Sequence, residues 1–252
     1  MTNTIALITG ANRGLGYETA RLLGERGMTV FLGCRDEERA GVAAADLRAA
    51  GHDAHPLHLD VTDEKAVQAA AETIERTHGR LDVLVNNAGI GGFAESGGPS
   101  QTPLSAIRRV YETNVFGVVA VTNAMLPLLR QAPAARIVNV SSEVGSLTTM
   151  TDPGSPLAQL QATVPYPSSK SALNMLTVMY ARELADTRIL VNAANPGYCA
   201  TDFNGNTGYR TAEAGASVSV HLATLDADGP SGLLWGDQSM SHRTDTSGPL
   251  PW

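Results

Sequence analysis

Cysteine is scarce in this sequence: 252 residues hold two, Cys34 and Cys199. Two thiols so far apart cannot form the disulfide framework of a small secreted domain, and a reducing compartment is expected. Basic runs are missing too. With a formal net charge of −7 and no cluster of lysine or arginine, no nucleic-acid or anionic-membrane partner is expected. No apolar stretch approaches the roughly 18 residues of a spanning helix. The opening MTNTIALITGANRGLG lacks the pattern of a cleaved signal peptide, so a cytoplasmic location is expected. Solenoid-type repeats and low-complexity linkers are absent as well.

What is present is an alternation. Short apolar runs at 4–9 (TIALIT), 29–34 (TVFLGC), 54–60 (AHPLHLD), 81–86 (LDVLVN), 136–141 (RIVNVS) and 189–194 (ILVNAA) read as strands covered on both faces, with a weaker seventh at 231–236. Between them, 15–26, 37–50, 64–78, 105–130, 168–186 and 211–222 read as helices. Strand and helix repeated in this way predict one doubly wound α/β domain of the Rossmann type. Its parallel sheet would have about seven strands, with helices on both faces. The cofactor half would be about 1–140 and the catalytic half about 141–252. Two loops, 91–103 and 145–165, leave carboxyl ends of strands, where ligands of open parallel sheets bind. Both are expected to shape a substrate pocket, with residues 91–94, 146–165 and 198–209 as its candidates.

The first strand runs straight into a glycine turn, Gly10, Asn12, Arg13, Gly14, Leu15 and Gly16, that opens the first helix. Gly10 permits the sharp turn. Gly14 and Gly16 let backbone and pyrophosphate approach without a Cβ between them, and the helix N-terminus offers its unpaired N–H groups. The second strand ends at Arg35, followed by Asp36. An acidic residue there would hold the ribose 2′-hydroxyl of NAD(H), whereas a guanidinium suits a 2′-phosphate. Arg35 with Arg13 favours NADP(H) over NAD(H), and Asp36 is the residue that argues the other way.

TGANRGLG at 9–16, Asp60-Val61, NNAG at 86–89, Asn114, Ser142, Tyr166-Pro167-Ser168-Ser169-Lys170 and Asn195-Pro196-Gly197 together resemble the short-chain dehydrogenase/reductases, in that family's order and over nearly the whole chain. The arginine pair and the long segment before the tyrosine look most like its carbonyl-reductase branch. The resemblance implies an NADP(H)-dependent oxidoreductase that moves a hydride between the nicotinamide and a small carbonyl or alcohol substrate. It implies that Asp60 and Val61 touch the adenine. Asn87, Ala88 and Gly89 would line the adenosine and ribose, while Pro196, Gly197 and Thr201 meet the carboxamide region. Asn86 would brace the central strands. The catalytic set would be Asn114, Ser142 (rather than Ser141), Tyr166 and Lys170. Asn114 would hold a water that links Lys170 to solvent, and Lys170 would also reach the nicotinamide ribose.

The chemistry fits these residue types. The alkoxide left by hydride transfer needs a proton, and a phenol of ordinary pKa near 10 gives or takes it poorly at neutral pH. Lys170, four residues on, shares a helix face with Tyr166 and, with the positive nicotinamide of the oxidised cofactor, is expected to lower that pKa. Ser142 would hold the carbonyl oxygen. A cofactor-binding sensor on the same fold is the rival reading, but it would be expected to have lost Tyr166 or Lys170. Ser142 and Tyr166 stand 24 positions apart, about twice the usual family spacing. The insertion, about 146–165, is expected to cover the substrate and to favour a monomer or homodimer over a tetramer. No metal site is expected. His52, His55 and His58 recur at threes, which puts the last two on opposite faces of a strand. Glu143 and Asp202 are expected to be solvated or to cap turns, and Cys199 to be packed. The C-terminal Trp252 would either tuck against the body or close a neighbour's pocket.

Overall fold

The computed structural model describes residues 4–93, 97–240 and 247–252. Its strands are β1 (Ile5–Thr9), β2 (Thr29–Cys34), β3 (Ala54–His58), β4 (Val83–Asn86), β5 (Ala135–Val140), β6 (Ile189–Asn195), β7 (Leu234–Asp237) and β8 (Ser247–Leu250). The helices are α1 (Gly14–Glu25), α2 (Glu37–Ala49), α3 (Glu64–His78), α4 (Leu104–Tyr111), α5 (Gly117–Leu129), α6 (Leu147–Thr151), α7 (Pro165–Glu183) and α8 (Ala212–Ala223). All the strands lie in a single sheet of order β3-β2-β1-β4-β5-β6-β7-β8. The first seven in sequence pair in parallel. The fold is thus the expected Rossmann type.

Its strands are apolar at every position because both faces are covered. Leu7, Phe31, Leu84 and Ile137 point to one side, against Val67 and Ile74 of α3 and Met125 and Leu129 of α5. Their neighbours Ile8, Leu32, Val85 and Val138 point to the other, against Leu23 of α1, Leu47 of α2 and Val218 of α8. The sheet order reverses between β1 and β4, which opens a crevice beyond their carboxyl ends.

Four features depart from the sequence reading. The described residues contain an eighth strand, β8, antiparallel to β7 with Pro249 opposite Trp235. A segment reading SGPL looks like a turn, but an edge strand tolerates proline. Trp252 then packs on Ala193, Leu234 and Leu250 of the same chain, so it tucks against the body. Second, the predicted helix 105–130 is interrupted by a π turn, Glu112–Phe116. Third, the span Leu104–Leu129 does reach membrane-crossing length and apolarity. Val110, Val121, Met125 and Leu129 nevertheless face the interior, fully covered, as suits a core helix. Last, the insertion is not irregular. Ser146 caps α6 by accepting from Thr149 N at 3.0 Å, and Ser155 caps a 3-10 turn (Pro156–Gln159) by accepting from Leu157 N at 3.2 Å.

Candidate active site

The crevice is a cleft of about 1900 Å³. Its cofactor end is built on the turn from β1 to α1. Arg13, the residue before α1, is extended and makes no side-chain cap, which leaves the helix N-terminus for an anion. Gly16 has a different task from the one expected. A Cβ there would stand 2.5 Å from Asn87 Nδ2 and from Gly10 O, so this glycine allows close packing of protein on protein. Asn87 staples β4 to the turn, its Nδ2 donating to Thr9 O at 2.8 Å and Gly10 O at 3.2 Å. Asn86 braces the strands, donating to Asn139 Oδ1 at 2.9 Å and Thr122 Oγ1 at 3.1 Å. Ala88, Gly89, Leu15, Asn12, Pro196, Gly197 and Thr201 all line the cleft.

At the ribose end, Arg13, Arg35 and Arg39 all border the cleft. Asp36, the acidic neighbour that favoured NAD(H), is committed elsewhere. It caps α2, accepting from Arg39 N at 3.1 Å, and pairs with Arg39 Nε at 3.2 Å. Arg39 was missed in the sequence, where it reads as an ordinary helix-surface arginine. Its position one turn inside the Asp36 cap is the signal that could have found it. Asp60 accepts from Thr62 N at 2.9 Å and Thr62 Oγ1 at 2.7 Å. Burial raises its pKa, but these bonds and nearby Arg35 carry it below the ordinary value. Val61 packs against Gly117. The open helix N-terminus suits an anion, and of the three guanidiniums that border this end of the cleft Arg13 pairs with Asp202 and Arg39 with Asp36.

The reacting end gathers residues from β5, the π turn and α7. Ser141 Oγ is spent on Asn174 Oδ1 at 2.5 Å, whereas Ser142 lines the cleft with Tyr166, its Oγ accepting from Val144 N at 3.4 Å. Because α7 begins at Pro165, Tyr166 and Lys170 both sit on its first turns. Lys170 is buried, its Nζ donating to Val140 O at 2.7 Å and standing 5.4 Å over the Tyr166 ring centroid. Asn114, on the π turn, accepts from Ile90 N at 2.9 Å and donates to Ile90 O and Ser169 Oγ, each at 3.0 Å. The π turn aims that amide across to Ile90 and Ser169. A Cβ on Gly89 would lie 3.4 Å from Asn114 Oδ1 and 3.9 Å from Lys170 Nζ, so the two residues flank Gly89.

In the chain alone the tyrosine pKa is raised; the lowering expected from Lys170 together with the oxidised nicotinamide concerns the loaded site. Burial pushes Tyr166 up to about 12, against the opposing effect of the neighbouring Ser142 hydroxyl, and it pushes Lys170 down to about 8. Desolvation therefore outweighs any charge that would favour the phenolate.

Other expectations divide. Glu143 is buried, 3% exposed, and borders the cleft beside Ser142 rather than being solvated. Asp202 meets Arg13 Nη1 at 2.8 Å. Cys199 is packed, its thiol pushed up to about 11 by burial. Among the described residues no cluster of His, Cys, Asp and Glu could hold a metal; His55 stacks on Phe31 at 5.3 Å and bonds Asp53 at 2.7 Å. Of the pocket candidates, Gly92, Phe93, Met150, Leu157 and Phe203 line the cleft. Ala94 lies outside the described residues.

A glycine turn at a reversal of parallel strands, with Ser142, Tyr166 and Lys170 at the far end of the same cleft, defines an oxidoreductase of the Rossmann type. The short chain dehydrogenase family matches residues 4–211. A short-chain dehydrogenase (anuI) of Penicillium roqueforti is 39% identical over 229 residues, covering 89% of this chain and 90% of that one. Carbonyl reductase [NADPH] 1 of Bos taurus is 34% identical, covering 92% and 95%. The solved structure of salutaridine reductase from Papaver somniferum superposes with a TM-score of 0.80 at 28% identity, covering 92% and 99%. This chain belongs to the short-chain dehydrogenase/reductase family, whose members bind a nicotinamide cofactor.

Proposed function

We propose that the protein is an NADP(H)-dependent reductase of ketones or aldehydes, with Tyr166 as the proton donor. The observation that carries this reading is that Ser142 and Tyr166 line one cleft beside buried Lys170, whose Nζ stands 5.4 Å over the Tyr166 ring centroid. The three guanidiniums of Arg13, Arg35 and Arg39 support the phosphorylated cofactor, which a bovine relative names as its own. When bound, the reduced nicotinamide supplies the hydride.

Ser142 holds the carbonyl oxygen and stabilises the charge that grows on it. Tyr166 gives that oxygen its proton. With a pKa pushed up to about 12, the phenol keeps its proton at neutral pH and is poised to donate. Lys170, with a pKa pushed down to about 8, stands next in line to exchange a proton. Asn114 fixes the Ile90 backbone and Ser169 around it. The test is a screen of NADPH consumption against aldehydes, ketones, quinones and hydroxysteroids, with Tyr166→Phe as the blank. Consumption by the wild type alone supports the reading; none with any carbonyl overturns it.

A further inference from the structure

Among the described residues eleven large apolar side chains are substantially exposed, and two of them flank the proposed proton donor: Phe93, 51% exposed, and Phe203, 41% exposed. They come from different loops, one after β4 and one after β6. With Tyr166 they form a triangle of rings. The centroid separations are 5.7 Å for Phe93–Tyr166, 5.5 Å for Tyr166–Phe203 and 5.4 Å for Phe93–Phe203. The two phenylalanines meet edge to face, at 87°, and each tilts against the tyrosine by 56° or 57°. These are the separations and angles at which aromatic quadrupoles attract.

Neither ring owes its place to chance burial. Phe93 folds back over Gly91, where a Cβ would stand 2.1 Å from the phenyl Cε2; residue 91 must lack a side chain for the ring to lie there. Phe203 sits in a pinned loop. Thr201 and Asn204 cap each other, and Asn204 Nδ2 donates to Cys199 O at 2.8 Å. The far end of the loop is bolted to the sheet, since Arg210 Nη1 pairs with buried Asp237 at 2.5 Å and Tyr209 donates to the same carboxylate at 2.6 Å. Asp202, next to Phe203, is held by Arg13. Two exposed rings, each held in place, thus stand against the ring of the residue that would protonate the substrate.

We propose that Phe93 and Phe203 are the specificity-determining pair of this site, an aromatic clamp that selects carbonyls attached directly to an aromatic ring. The clamp rests on the reductase reading above and names its substrate class. The two phenyls touch each other, so an aryl ring would lie not between them but across their exposed faces, gaining contact with both while its carbonyl reached the Tyr166 hydroxyl. A flexible alkyl chain would gain only part of that contact and would have to be ordered first.

The experiment compares acetophenone with the straight-chain methyl ketone of equal carbon number, using NADPH and the full chain. Dividing each variant by wild type cancels the intrinsic reactivity of the two ketones. Phe93→Ala and Phe203→Ala should each lower the aryl-to-alkyl ratio of kcat/KM about tenfold, the scale of one lost pocket contact. Phe203→Leu, which keeps apolar bulk without a ring face, should leave the ratio depressed. An unchanged ratio in the alanine variants, or full recovery in the leucine variant, overturns the clamp. A second readout does not need turnover: saturation transfer from protein to the acetophenone ring protons, with NADP+ present. It should be strong in wild type and weak in Phe203→Ala; equal transfer in both overturns the clamp even if no ketone is reduced. Strong, Phe203-dependent transfer without NADPH consumption would strike the reductase reading alone.

Discussion

Arg13 of the first glycine turn and Asp202 of the loop after β6, 189 positions apart, meet at 2.8 Å across the mouth of the cleft. Both side chains are more than half exposed, so the pair contributes little to stability. Its consequence is for binding: the carboxylate occupies a guanidinium that a 2′-phosphate would want. Asp202→Asn should therefore lower KM for NADPH by about threefold, a fraction of the strength of a charge-assisted bond, with little change in KM for NADH. Initial-rate measurements with both cofactors check it. A KM for NADPH that stays put or rises would mean that Arg13 does not serve the phosphate.

Arg35 gives the complementary prediction. It is exposed at the end of β2 and borders the same end of the cleft, and its acidic neighbour Asp36 is occupied as the cap of α2. Arg35→Asp should raise KM for NADPH at least tenfold more than KM for NADH, because an acidic side chain repels the 2′-phosphate and accepts a 2′-hydroxyl. Equal changes for the two cofactors would remove Arg35 from cofactor choice.

How much of this was legible beforehand depends on what each residue's signal is made of. The strands were readable because burial on both faces leaves them apolar at every position. The glycine turn was readable because its backbone needs particular residues at fixed offsets. β8 was not, since a short edge strand containing Gly248 and Pro249 pairs only because β7 is there to receive it. Ser142 could be preferred to Ser141 by its place in a motif, but only the fold gives the reason: Asn174, on a helix 33 positions away, takes the Ser141 hydroxyl. The π turn at Asn114 and the joint placement of Phe93 and Phe203 are likewise tertiary facts. Their residues carry no local pattern, and the rings meet only because two distant loops leave the same edge of the sheet.

Tyr166→Phe tests the proton donor and sets a direction of reaction. The variant should bind NADPH within about twofold of wild type by fluorescence titration. It should lose about 10²–10⁴ in turnover, the range of general acid catalysis. Because burial pushes the Tyr166 phenol up to about 12, wild type should reduce carbonyls well at pH 7. The reverse alcohol oxidation, which needs the phenolate, should climb steadily toward pH 10. An oxidation rate flat from pH 7 to pH 10 would show that the phenol is not the group being deprotonated.

Lys170 carries a stability prediction whose sign is fixed by its burial. Its pKa in the fold is about 8 against an ordinary 10.5, so between those values the unfolded chain binds more protons than the folded one. Stability due to this group is therefore lowest below pH 8 and rises with pH up to about 10.5; the interval corresponds to at most about 3 kcal/mol. Tyr166 works the other way only at higher pH, its stabilising proton being lost between about 10 and 12. Lys170→Met removes the buried ammonium and leaves the Val140 carbonyl without that donor, a cost that does not vary with pH. The melting temperature of the variant relative to wild type should thus be highest near pH 7 and fall as the pH approaches 10, although the variant has lost its turnover. A difference that stays constant from pH 7 to pH 10 would mean that Lys170 is not held as a strained cation beneath the tyrosine, and that its role in handing on the proton must be assigned to another group.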